Sequence, residues 1–303
     1  MGRFLVLLSA VCFGAMAIFG KLAYEAGVTP SVLLMLRFSM AAAMLALVLL
    51  VQPKLRSLQA ATEPAPRGPA LTRVILIAVG LGAIGYALQS TFYFSALERL
   101  DASLTALILY TYPLLVTLGS AALGRESLTP RRVLALLAAS AGTVLILVGV
   151  GSLRFDLLGV ALGFAGAVTY TAYILVSDTV VNRLPPVVLT TLVMAGAAVT
   201  LTGRVAATGG FAVHIAPAGW FWIGCIALVS TVFAMLSFFA GLARTGPSTA
   251  SILSTFEPVV TTVLATVTLH EFLTPVQLVG GLLVLGAAVG VQLKRPAVVS
   301  TPV

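Results

Sequence analysis

Apolar residues along this chain come in long unbroken runs. They do not alternate as in a half-buried strand, nor keep to one stripe as in a surface helix. A membrane span needs about 20 such residues. Ten segments qualify: 3–24, 30–51, 72–95, 102–123, 130–149, 156–179, 185–208, 217–241, 247–268 and 274–293. Several open on proline, which suits a first helical turn: Pro30, Pro130, Pro185, Pro217, Pro247 and Pro275. The pattern predicts an all-α integral membrane protein of ten transmembrane helices. The one long polar connection, 52–71, holds four prolines and reads as an exposed, mobile loop.

Composition agrees with the pattern. Of 303 residues, 60 % are hydrophobic and 9 % charged, against about a quarter charged in soluble domains. So few charges cannot cover a water-facing surface of this size. The net charge of +8 would otherwise suggest nucleic acid. Here the basic residues sit in short connections, where they set topology, and no nucleic-acid partner is implied. One side collects Arg3, Lys54, Arg56, Arg67, Arg73, Arg125, Arg131, Arg132, Arg183, Arg244, Lys294 and Arg295. The other collects Lys21, Arg99, Arg154 and Arg204, with Arg37 inside the second span. Both termini are thereby expected in the cytoplasm. The apolar stretch after Arg3 runs from Phe4 to Gly20. It exceeds the roughly 7–15 residues of a signal-peptide core and reads as a retained first span; a cleaved signal is the alternative.

The sequence also matches itself. Shifted by 145 residues, "ERLDASLTALILYTYPLLVTLGSAALGRESLTP" lies on "ARTGPSTASILSTFEPVVTTVLATVTLHEFLTP" without a gap. Pro113 meets Pro258, Glu126 meets Glu271, and Leu-Thr-Pro at 128–130 meets Leu-Thr-Pro at 273–275. Residues 1–150 and 151–295 therefore read as two copies of a five-span unit, followed by a tail, 296–303. An odd number of spans turns the second copy upside down. Inverted repeats of this kind place a substrate site near the midplane between the halves.

Two five-span repeats, each with a mid-span proline and a downstream "GRESLTP" or "LHEFLTP", resemble the EamA-type members of the drug/metabolite transporter superfamily. The "FEPVV" of the ninth span is similar to that family's pattern as well. The resemblance covers essentially the whole chain. It implies a secondary transporter working by alternating access. The substrate class it implies is small metabolites, amino acids among them, or drugs, exported across a bacterial inner membrane. It implies no enzyme activity. Competing readings are a passive facilitator, an exporter of drugs or sugar-type metabolites, and a non-transporting membrane scaffold. The expected partners are a small-molecule substrate, the lipid bilayer and protons, in a monomer or weak homodimer.

Glu257 is the sharpest candidate residue. It lies halfway along its span, where an ionised carboxylate costs several kcal/mol unless water, a cation or a proton answers it. Two readings stay open: a substrate or proton site, and a structural carboxylate bonded to a neighbouring helix. The nearest intramembrane cation in sequence terms is Arg37, about 10 Å from the outer end of its span, from where it can snorkel to the interface. Pro258 removes the N–H that would serve the carbonyl of Ser254, and Pro113 does the same to Leu109. Tyr112, not an acid, answers Glu257 in the first copy. In the third span Tyr86, Gln89, Ser90 and Tyr93 share a face; in the sixth, Tyr170, Tyr173 and Ser177 do, after Gly166. These faces are expected to turn inward. With Glu257 and Ser254 they form a candidate substrate pocket, aromatic with few polar groups. Glu126 and Glu271 read as ties from a short turn to the next helix. Gly286 and Gly290 form a small-residue face suited to tight packing. Cys12 and Cys225 lie in apolar runs and have no metal spacing. No P-loop or nucleophile–base pattern is found, and no cofactor is implied.

Overall fold

The long apolar runs are helices in the computed structural model, which describes residues 1–53, 68–124, 130–149, 156–177, 179–180, 183–208, 215–245, 253–254 and 256–292. Helices α1 (Gly2–Glu25) and α2 (Pro30–Val51) come first. Next is a continuous rod: α3 (Pro69–Gly80), a π-helical segment π1 (Leu81–Tyr86) and α4 (Ala87–Arg99). The fourth expected span is broken into α5 (Ala102–Leu109) and α6 (Tyr112–Ala122). Helices α7 (Pro130–Gly149), α8 (Leu157–Ser177) and α9 (Pro186–Ala207) follow. A second interrupted rod joins α10 (Pro217–Ala227), π2 (Leu228–Phe233) and α11 (Ala234–Thr245). Helices α12 (Glu257–Thr268) and α13 (Pro275–Gln292) close the described chain. Among the described residues there is no strand.

Six of these stretches are long and apolar enough to cross a membrane: Gly2–Glu25, Pro30–Val51, Pro69–Arg99, Leu157–Ser177, Pro186–Ala207 and Pro217–Phe238. The helices Glu257–Thr268 and Pro275–Ala287 are apolar but shorter. Leu47, Ile84, Val199, Phe221 and Leu282 are 59–74 % exposed on the outside of the bundle. A water-soluble fold would bury most of that surface, whereas lipid accepts it. The loop expected over 52–71 lies mostly outside the described residues, as do the expected tail and Glu126.

The break between α5 and α6 follows from the sequence. Pro113 stands in the first turn of α6. Having no N–H, it cannot continue a ladder from the preceding turn. The sequence did not predict the two π segments. Each adds one residue to a turn, a feature frequent at functional sites. One lies within each of the two interrupted rods.

Packing is paired in a regular way. Helix α1 packs on α10, π2 and α11, as α8 packs on π1 and α4. Helix α1 also meets α12, as α8 meets α5 and α6. Further long contacts run α2 along α9 and α7 along α13. Glycines allow the closest approaches. A Cβ on Gly82 would collide with the Val193 carbonyl, and one on Gly196 with the Val79 carbonyl, so α9 crosses the π1 rod backbone to backbone. A Cβ on Gly142 would stand 2.6 Å from the Gly280 carbonyl, where α7 meets α13. The expected face at Gly286 is not the tight one: nothing lies within 4 Å of a Cβ there.

Two carboxylates tie the rods at their ends. The spacing suggests that Glu271 ties its turn to the next helix; the structure bonds its side chain to α5 instead. Its Oε2 accepts from the main-chain N–H groups of Ala102 (2.7 Å) and Ser103 (3.4 Å). It thus caps α5 from across the molecule, where the helix dipole favours an anion. Burial, and then the charge of Asp101, hold its carboxyl above the usual range. Asp156 caps α8, its Oδ1 accepting from Gly159 N–H at 2.8 Å. Arg99 Nη1 donates to its Oδ2 at 3.2 Å. The Gly159 bond, with Arg99 behind it, holds Asp156 below the usual carboxylate range.

Candidate functional site

The aromatic residues of π1 and α8 meet. Tyr86, at the end of π1, stacks on Tyr173 of α8 with ring centroids 5.5 Å apart. Tyr173 stacks on Tyr170 at 5.9 Å. Tyr170 meets Tyr112 edge to face at 4.7 Å, and Tyr112 meets Tyr110 at 5.5 Å. Five tyrosines from π1, α8 and the α5–α6 break thus form one continuous arc. Aromatic pairs in such geometries contribute about 0.5–1.5 kcal/mol each beyond their burial. The remaining candidates of α4 are buried beside it: Gln89, Ser90 and Tyr93. Ser90 Oγ donates to Gln89 Oε1 at 3.2 Å. Gly166 allows α8 to lie close to this stretch, a Cβ there meeting Tyr93 N at 3.6 Å.

The arc ends on Glu257. Tyr110 Oη lies 2.8 Å from Glu257 Oε2 and 2.8 Å from the Ser254 carbonyl oxygen. Ser254 therefore enters through its main chain, at the carbonyl that Pro258 leaves without a helical partner. Glu257 is partly buried and opens α12, with Pro258 in the same first turn. A negative charge at this position would stand at a helix N-terminus, the favourable end of the dipole. Helix α1 comes close because residue 14 is glycine: a Cβ there would stand 2.9 Å from the Glu257 carbonyl. Thr261 Oγ1 donates to the Gly14 carbonyl at 3.0 Å and holds that approach. Among the described residues no ion pair joins Glu257 to a cation.

Arg37 lies at the other end of the arc. It does not snorkel: it is 1 % exposed. Its Nε donates to Thr231 Oγ1 at 2.9 Å, and Thr231 is presented by π2. The guanidinium carbon sits 4.8 Å from the Phe38 ring centroid and 5.4 Å from that of Phe94. Phe38 in turn packs edge to face on Tyr86 at 5.3 Å. Contacts with π2 and the α4 rod enclose the side chain before it reaches the interface. Aromatic faces offset part of the cost of the buried charge, by about 2 kcal/mol when desolvated. Among the described residues Nη2 has no hydrogen-bond partner. The two π segments thus converge on one buried cation.

The model of the EamA-like transporter family matches two stretches of the chain, residues 1–148 and 157–293. The chain belongs to the EamA-like transporter family. Among its relatives is the uncharacterized transporter YcbK of Bacillus subtilis (strain 168), 26 % identical over 286 residues, which are 92 % of this chain and 88 % of that protein. A solved crystal structure superposes with a TM-score of 0.64 over 96 % of each chain at 20 % identity, a likeness of fold.

For this EamA-like chain the structure brings together Glu257, the Ser254 carbonyl, Tyr86, Tyr170 and Tyr173. It places Gln89 and Tyr93 beside them on α4. Sequence reasoning missed Tyr110, the residue that touches both Ser254 and Glu257. A weak signal for it existed: a second tyrosine three residues before Pro113, in "YTYP". It also missed Gly14, whose contact depends on how α1 crosses α12.

Proposed function

We propose that this multi-pass membrane transporter is a secondary transporter that exports a small amphipathic metabolite, such as an amino acid, across a bacterial inner membrane. Residues 1–150 and 151–295 act as inverted five-span halves in a ten-helix bundle, and both termini face the cytoplasm. The paired packing of α1 and α8, the matched π segments and the two matched family stretches support that reading. The halves rock about a central site lined by the tyrosine arc, exposing it to one side at a time.

The observation that carries the proposal is Glu257. It sits within the bundle, with no ion-pairing cation among the described residues, against tyrosines of the first half and of α8. A carboxylate so placed is suited to bind a substrate ammonium or to exchange a proton for it, while the rings take the apolar body. The test is a panel of metabolites, first by thermal shift on purified protein and then by flux in proteoliposomes. Wild type should respond to at least one amine-bearing compound, with flux that depends on pH. Glu257→Gln should lose that dependence; an unchanged flux and pH profile in this variant sinks the proposal.

A further inference from the structure

A phenol has one proton to donate and lone pairs to accept with. Tyr110 Oη stands 2.8 Å from each of two acceptors, the Ser254 carbonyl and Glu257 Oε2. Both are full hydrogen-bond distances between oxygens. If Glu257 is a carboxylate, both neighbours only accept and one proton has to serve two. If Glu257 is a carboxylic acid, the chain closes: Glu257 donates to Tyr110, and Tyr110 donates to Ser254. The observed geometry satisfies every group only in the protonated form.

The contested carbonyl sits at a structural weak point. Residue 258 would normally donate to it, and proline has no N–H. A bond to an ionised carboxylate is about twice as strong as a neutral one. On ionisation the Tyr110 proton therefore turns to Glu257, and the Ser254 carbonyl is released. We infer that Glu257 and Tyr110 form a proton-binding site in which the bound proton decides whether Tyr110 holds the Ser254 carbonyl. Proton occupancy is thereby coupled to the chain break ahead of α12. Tyr110 stands between α5 and α6, at the corresponding break of the first half, so one proton ties the two breaks together. The proton comes from the aqueous phase and forms an O–H bond on Glu257. It leaves by the reverse step, and no other covalent bond changes.

Among the described residues, the titratable groups that face Glu257 are tyrosines. Tyr93 of α4, Tyr112 of α6 and Tyr170 of α8 lie within electrostatic reach of Glu257, as does Tyr110 beside α5. Helix α1 meets the Glu257 backbone with Gly14, which has no side chain. Phenols ordinarily titrate near pH 10 and carboxyls near pH 4. Glu257 is thus the first of this set to change charge as pH rises.

The inference deepens the proton part of the proposed function, and it is tested without any substrate. Infrared difference spectra against pH, on purified protein in lipid nanodiscs, read the C=O stretch of a protonated carboxyl. Glu257→Gln should remove one such band. Tyr110→Phe should raise its frequency and, at a fixed pH, at least double (~2-fold) its intensity, because the carboxylate has lost its donor. Pro258→Ala restores the main-chain N–H for Ser254. It should at least halve the intensity (~2-fold), because Tyr110 then serves the carboxylate alone. An unchanged amide spectrum identifies folded variants, and either of the last two suffices if the other does not fold. A Glu257 band that these two substitutions leave in place overturns the inference, as does a Glu257→Gln spectrum that loses no band. If no compound is transported while the bands shift as stated, the transport reading fails and the proton site stands.

Discussion

The two proline breaks, Tyr112–Pro113 and Glu257–Pro258, share a backbone plan and differ in chemistry. Each proline stands in the first turn of a helix, α6 or α12. Each preceding residue turns toward the tyrosine arc. Against the first break lies α8, with Thr171 Oγ1 3.5 Å from the Tyr112 carbonyl. Against the second lies α1, with bare Gly14 at the Glu257 carbonyl. The first break therefore offers a neutral phenol, and the second an acid held by the hydroxyl of Tyr110. A repeat can copy a backbone weakness into both halves and still give ionisable chemistry to one.

The largest expected effect separates the two residues before the prolines. Glu257→Gln should lower pH-dependent flux in proteoliposomes at least tenfold, equivalent to about 1.4 kcal/mol. Tyr112→Phe keeps the ring and should stay within about twofold of wild type. Equal losses in both would show that the breaks are functionally alike.

Next is the packing difference. Gly14→Val forces a branched side chain against the Glu257 carbonyl and Val260. It should cost about 1–3 kcal/mol of stability, read by thermal unfolding in detergent. Gly80→Ala, with nothing within 4 Å of its Cβ, should be neutral or stabilising by up to about 1 kcal/mol. A Gly14→Val protein as stable as wild type would place α1 further from α12 than described.

A smaller effect concerns how the first break is anchored. Glu271→Ala removes the cap of α5 and should cost about 1 kcal/mol. Glu271→Gln tests the charge alone. Because the folded carboxyl is held above the usual range, the folded state binds the proton more tightly than the unfolded chain. Stability from this group therefore falls as pH rises from the ordinary glutamate value through the raised one. Glu271→Gln should flatten that slope in a series of melting temperatures, and a slope identical to wild type would show that burial and Asp101 do not act on this carboxyl.

Smallest is Asp156→Asn, at the exposed cap of α8. Its carboxyl is held low by Gly159 and then Arg99. The stabilisation is present above the ordinary aspartate value and lost as pH falls through the lowered one. The variant should melt slightly below wild type at neutral pH, and the gap should close in acid. A gap that persists in acid would assign the effect to packing instead of charge.

Much of this molecule is legible in its sequence. Most of the apolar runs appear among the described residues as helices with bounds close to those expected, the runs 102–123 and 247–268 excepted, since a run that long has few other ways to satisfy its backbone in lipid. The two prolines lie where backbone continuity fails. Tyr86, Tyr170 and Tyr173 were readable as inward faces by helical spacing. The π segments were not, because an added residue in a turn leaves no mark in an unbroken apolar pattern. Arg37 reads in sequence as a residue that can reach the interface, since one helix alone does not reveal that Thr231, Phe38 and Phe94 enclose it. Glu271 reads in sequence as a tie from a short turn to the next helix, whereas its side chain accepts from residues 102 and 103.

By itself the sequence determined the membrane class, the helical runs, the proline breaks and the cost of a carboxylate at position 257. These rest on local properties: run length, composition and the missing N–H of proline. The tertiary structure alone decided which groups answer that cost. Tyr110 and Glu257 are 147 residues apart in the chain. A hydrogen bond across that separation exists only once α1, α5, α8 and α12 have packed.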